Sequence, residues 1–195
     1  MSKLVQVSLV VLMSVLTGNA AAQQGHMSKY AGQEDREIKS LSPEDLKELR
    51  NGGGWGLAKA AELNGMPGPS HLLKMKNEVE LSADQVERIS KLFETMKAKA
   101  ISQGAELIAL EKQLEEVFRN KTVTDAHLRL TLSRIADVRK ELRYIHLSTH
   151  LQTPKILSAK QIAKYNSLRG YNKEPCAAVP KGHDVKMWRK HNGCG

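Results

Sequence analysis

The sequence predicts an all-α fold: one long antiparallel helical hairpin with shorter flanking helices, followed by an irregular, disulfide-tied C-terminal tail. Three observations lead there. Helix-opening motifs recur along the chain. A heptad of apolar residues runs from Val86 to Val117 with Gln103 as its one polar member. Only a few residues then separate it from a second apolar stripe, and so short a connection makes two helices antiparallel neighbours.

Residues 1–22 read as a cleavable signal peptide, with Lys3 ahead of an apolar run over 4–16 and small residues Ala20, Ala21 and Ala22 at the cleavage position. The run is shorter than the ~20 apolar residues of a spanning helix. The expected protein is therefore exported and not membrane-spanning. Residues 23–40 are polar and are expected to be disordered. The helical domain is expected over 41–170 and the tail over 171–195.

Within that domain, Leu41-Ser42-Pro43-Glu44-Asp45-Leu46 places an N-cap serine before a first-turn proline and acids, the signature of a helix start. Further short helices are expected around 57–63 and over 69–79. Leu81-Ser82-Ala83-Asp84-Gln85-Val86 spaces Ser82 and Gln85 as a capping box, with Leu81 and Val86 as its hydrophobic staple. The long helix that follows carries Phe93, Ala100, Leu107 and Leu114 at heptad spacing, with Ile89, Met96 and Leu110 as companions. Gly104 is expected to permit a bend. Glu111, Glu115 and Glu116 are expected on a solvated face.

Thr124 opens the partner helix, whose stripe is Leu128, Leu132, Ile135, Val138, Leu142 and Ile145, and Pro154 marks its stop. Leu157-Ser158-Ala159-Lys160-Gln161-Ile162 repeats the capping box, with Ser158 and Gln161 as its pair and Leu157 at the staple position. Two paired helices leave apolar surface wet, so the short helices or a second copy of the chain must cover it. The glycines and prolines of 52–54 and 65–69 match no phosphate-binding pattern and read as turns.

The chain carries a net charge of +9, but its basic residues are interleaved with acids and only 4% of residues are aromatic. Nucleic-acid binding is not expected; acidic surfaces such as unfolded acidic chains or anionic headgroups fit better. Cys176 and Cys194 are the only cysteines, and in an oxidising compartment such a pair reads as a disulfide. No serine triad, cysteine–histidine pair or nucleotide fingerprint is present, so no enzyme is expected.

His146 and His150 stand four apart on a predicted helix, a spacing that can chelate one divalent ion. His71 and Met75 repeat the spacing with an imidazole and a thioether, donors suited to copper, nickel, cobalt or zinc. The plainer alternative is that His146 packs beside the apolar stripe and His150 caps a helix C-terminus. In the tail, His183, Met187 and His191 form a weaker candidate for copper.

The two leucine-serine-x-x-glutamine boxes flanking a hairpin in an exported chain resemble the LTxxQ motifs of the Spy/CpxP superfamily of periplasmic proteins, over roughly 67–170, with serine in place of threonine. That resemblance implies a periplasmic, all-helical homodimer that binds unfolded or misfolded envelope proteins without ATP. It also implies, in some members, heavy-metal sensing through helical histidines, which His146 and His150 resemble. A passive scaffold for a regulatory envelope partner, such as a sensor kinase or anti-sigma factor, is a third expectation.

Overall fold

The computed structural model describes residues 28–171, 179, 181–191 and 193–194. The expected signal peptide therefore lies outside the described residues, as does Cys176 of the expected Cys176–Cys194 pair. Two compact units divide the chain between Glu34 and Asp35. In the first, residues 28–34 form successive turns, with Ala31 N–H donating to Ser28 and Gln33 N–H to Tyr30. The rest of this description concerns the second unit.

That unit is built of helices, and no strand occurs among the described residues. In chain order they are α1 (Pro43–Arg50), α2 (Lys59–Glu62), α3 (Pro69–Lys74), α4 (Ala83–Arg119), α5 (Asp125–Gln152), a 3-10 turn (Thr153–Ile156), α6 (Ala159–Leu168) and α7 (Val185–His191). No helix among the described residues is long and apolar enough to cross a membrane.

The four motif-marked starts all hold. The Ser42, Ser82 and Ser158 hydroxyls each accept from the backbone N–H three residues on, and each box closes reciprocally through Asp45, Gln85 or Gln161. The Thr124 hydroxyl accepts from the His127 N–H. α4 ends where Lys121 takes a left-handed φ of 55° and the Thr122 N–H returns to the Val117 carbonyl. That closure satisfies carbonyls the helix would leave open. The short helices are shorter than expected: α2 keeps only Lys59–Glu62, and α3 stops at Lys74 rather than reaching Val79.

α4 and α5 run past each other in opposite senses. Arg139 reaches Glu111 near one end of the pair, while His146 and Thr149 lie beside Phe93 and Met96 nearer the other. Met96, Ala100, Leu107 and Leu110 of α4 meet Ile135, Val138 and Leu142 of α5 in the main core. The buried face of α5 follows the expected stripe at Ile135, Val138 and Leu142 and departs from it at one position: Thr131 is 5% exposed, whereas Leu132 is 47% exposed. A sequence stripe selects apolar side chains, but burial follows the neighbouring layer, which covers Thr131 and stops short of Leu132.

Two further expectations are corrected in this layer. Residues 35–40 belong to the packed body: Ile38 and Leu41 join the core, and Lys39 pairs with Glu115 at 2.6 Å. Glu111 is buried rather than solvated, accepting from the Ser40 hydroxyl at 2.9 Å and facing Arg139 at 3.6 Å. Two apolar residues in a polar run are too sparse to register as an element, and the acids that hold them lie some 70 positions away. Gly104 is not a bend but a close approach: a Cβ there would meet the Leu49 carbonyl at the end of α1.

A second core gathers Leu72, Val79, Ile89 and Tyr165, with both staple leucines, Leu81 and Leu157, packed against it. Above it the two capping boxes touch. Gln85 and Gln161 exchange amide hydrogen bonds at 3.0 and 2.8 Å, and each donates onward, to the Ile156 and Glu80 carbonyls respectively. Each glutamine thus caps its own helix and ties it to the other. Gln85→Ala and Gln161→Ala are each expected to destabilise by about 1–3 kcal/mol. Their effects should fall short of adding, with a coupling of at least ~0.5 kcal/mol in a double-mutant cycle read by urea unfolding. Strict additivity would show that the amide pair contributes nothing.

The tail is not wholly irregular. α7 is capped by Asp184, whose carboxylate accepts from the Met187 N–H at 2.8 Å. Asp184 starts a helix too short for periodicity to reveal.

Candidate functional site: a histidine-lined cleft

His146 and His150 stand one turn apart on α5, and the helix brings both to the buried side. Opposite them runs the segment from α2 to α3, whose Gly65–Pro69 stretch lays backbone against the His150 imidazole. A cleft of about 540 Å3 separates the two, with Glu62, His71, His146 and His150 among its walls.

His150 is 7% exposed and its Nδ1 lies 2.8 Å from the Met66 carbonyl oxygen. A carbonyl only accepts, so Nδ1 carries a proton and donates it to this bond. Gly68 is required here, because a Cβ would come within 2.7 Å of the His150 Nε2. His146 is 5% exposed, and its Nε2 is sealed from solvent without a hydrogen-bond partner. Burial, then the charge of His150, holds its pKa below the ordinary histidine value. The imidazole is therefore neutral, with a buried nitrogen left open.

His71 faces Glu62, Nδ1 to Oε1 at 3.4 Å. Burial, followed by the charge of Arg169, lowers its pKa despite that carboxylate. Glu62 is the hub beneath it: it pairs with Arg169 and accepts from the Tyr171 hydroxyl at 2.8 Å. Burial pushes the Glu62 carboxyl up, but Tyr171, His71 and Arg169 together outweigh it and the net shift is downward. Asn166 completes the clasp by donating to the Gly65 carbonyl at 3.1 Å. Tyr165, beneath, is fully buried and its hydroxyl is pushed up to about 12, chiefly by burial.

The structure thus places His71 on a wall of the cleft that His146 and His150 also line, which spacing alone could not do. It separates Met75 from them. α3 ends at Lys74, Met75 leaves helical geometry at φ −113°, ψ 25°, and its side chain packs on the second core. Helical spacing does not apply past a helix end. In the tail, His191 Nδ1 bonds the Met187 carbonyl at 2.8 Å, and His183 stacks edge-on to Trp188. Glu62, Arg169, Tyr171 and Gly68 carried no sequence signal beyond the turn-forming residues around 65–69.

His146 offers an imidazole with one nitrogen unpaired, and His150, one turn along the same helix, is oriented by a backbone carbonyl; imidazoles of this kind can ligate a divalent metal. Among the described residues, however, no three or more His, Cys, Asp or Glu side chains are already drawn together as a metal-holding group. No protein-family model, no curated protein and no solved structure matches this chain.

Proposed function

We propose that this chain is an exported periplasmic envelope-stress protein, not an enzyme, that holds unfolded or misfolded envelope proteins without ATP. The observation that carries the reading is a set of exposed large apolar side chains toward the joined ends of α4 and α5. Phe118 follows Glu111 by seven residues and so shares the face that Ser40 covers, yet it is 52% exposed. Leu132 precedes Arg139 by seven; Arg139 stacks over Trp55, but Leu132 lies 47% exposed. Leu114 and Phe118 line a groove of about 470 Å3 whose rim carries Lys39 and Arg119, both paired with Glu115. Exposed apolar side chains within a charged rim suit exposed segments of a client, and so few of them hold it reversibly. A second stripe, Tyr144 and Leu151 on the outer face of α5, is 64% and 59% exposed and is assigned to a second copy in a homodimer.

Light scattering of an aggregating client tests the reading. Stoichiometric protein should suppress the signal, and the Phe118→Ser, Leu132→Ser double variant should lose most of that suppression while keeping its helical content. No suppression by the unaltered protein would end it.

A second reading, a metal sensor or resistance protein, is favoured by the unpaired His146 Nε2. Calorimetric titration with zinc, nickel, cobalt and copper decides it, and the absence of heat from all four would remove it.

A further inference from the structure

We propose that α7 is a peripheral membrane contact. It lies on an anionic lipid surface, with Val185, Met187 and Trp188 turned into the interface and Lys186, Arg189 and Lys190 reaching the phosphate headgroups. The contact lies outside the client-holding surface and shares no residue with it.

The helix sorts its seven residues by chemistry. Val185 and Trp188 stand three apart, His191 follows Trp188 by three and Met187 by four, and so these four share one side. Lys186 is three from Arg189 and four from Lys190, which gathers the cations on the other side. The apolar side has no partner in the folded body. α7 buries no residue, neither core includes one of its side chains, and Val185 and Met187 are 54% and 55% exposed.

Without a packed face, so short a helix is held by its ends. The Asp184 carboxylate accepts from the Met187 N–H at 2.8 Å, and the Cys194 N–H returns to the Arg189 carbonyl at 3.0 Å. The amphipathic shape is thus formed before it meets a surface, which lowers the ordering cost of docking. Charge favours an anionic surface. On α4 and α5 cations are interleaved with acids, as where Arg88 meets Asp84 and Lys140 meets Asp137. From 179 to 195 four cations, Lys181, Lys186, Arg189 and Lys190, stand against one acid, Asp184, whose carboxylate is committed to the helix cap.

Size and chemistry point to a bilayer rather than to an acidic protein. A seven-residue helix is about 10 Å long, too small for the ~800 Å2 that a stable protein interface buries on each side. A bilayer asks only for shallow apolar insertion beside cations that reach its headgroups. Tryptophan, with an apolar ring and one polar N–H, is the side chain suited to that depth. Trp188 is set edge-on to His183, ring centroids 4.9 Å apart, which extends the ring surface at the start of the helix.

Co-sedimentation of the exported chain with vesicles tests this, using equimolar phosphatidylglycerol and phosphatidylcholine against phosphatidylcholine alone. The chain should pellet with the anionic vesicles only, and less of it as salt rises. Lys186→Gln and Lys190→Gln should weaken binding by roughly fivefold for each cation removed. Lys91→Gln with Lys99→Gln removes the same charge from exposed positions of α4 and should change binding by less than about twofold. Tryptophan emission should shift to the blue on the anionic vesicles, and Trp188→Phe should abolish the shift. Because α7 buries no residue, its variants leave the folded body intact, which circular dichroism checks. Equal pelleting with both vesicles, or none with either, would overturn the contact. Equal losses from the α4 and α7 pairs would assign the attraction to the whole chain instead of α7. A blue shift that survives Trp188→Phe would remove the insertion of this helix. Binding of polyglutamate or duplex DNA as tight as that of the vesicles would overturn a lipid surface as the partner.

Discussion

Gly104→Val should destabilise the protein by about 1–3 kcal/mol or more, the cost of forcing side-chain volume into a closed contact. The obstacle is backbone. A Cβ at Gly104 would lie 3.0 Å from the Leu49 carbonyl carbon and nearer still to its oxygen, and neither can rotate aside. Leu49 is itself 2% exposed and anchors α1 in the main core, so relief of the clash pulls α1 off α4. Gly104→Ala sets two effects against each other. Alanine gains about 1 kcal/mol of helix propensity over glycine, while the strain exceeds it, so a smaller net loss is expected. Gly54 is the control, since nothing lies within 4 Å of a Cβ there. Gly54→Ala should be neutral or stabilising by up to about 1 kcal/mol. Thermal unfolding followed by circular dichroism reads all three, at roughly 2–4 °C per kcal/mol for a chain of this size. An unchanged melting temperature for Gly104→Val would show that α1 does not bear on α4 there.

Leu142→Ala should cost about 2–5 kcal/mol, and Leu132→Ala less than about 0.5 kcal/mol, although the sequence puts both on one stripe. Leu142 is 2% exposed within the main core, so its truncation removes transfer energy and leaves a cavity. Leu132 already faces water and has little burial to lose. The same difference separates stability from client holding: Leu132→Ser should weaken aggregation suppression at nearly constant stability. Equal losses of stability from the two alanine variants would mean that Leu132 is covered, and the exposed apolar set proposed for clients would not exist.

The readable part of this chain was the part written locally. The starts at Ser42, Ser82, Thr124 and Ser158 were legible because a cap is decided within four residues, by a hydroxyl and an N–H that are neighbours whatever the rest of the chain does. The all-helical class followed from the same motifs and from the heptad. His146 and His150 could be paired because one helix carries both. Met75 could not be placed, because whether a helix extends four residues past His71 depends on what packs against its end.

The rest waited for tertiary structure, and for one reason. A sequence pattern gives which residues share a face, but not what lies opposite that face or where the opposing layer ends. The strap at Ile38, the burial of Glu111, the exposure of Leu132 and the joining of Gln85 to Gln161 are all decided by residues some 70 or more positions away, or by the edge of a neighbouring layer. The same holds for the cleft: the sequence alone supplied histidines at helical spacing, and only the fold set His71 and Glu62 across from them.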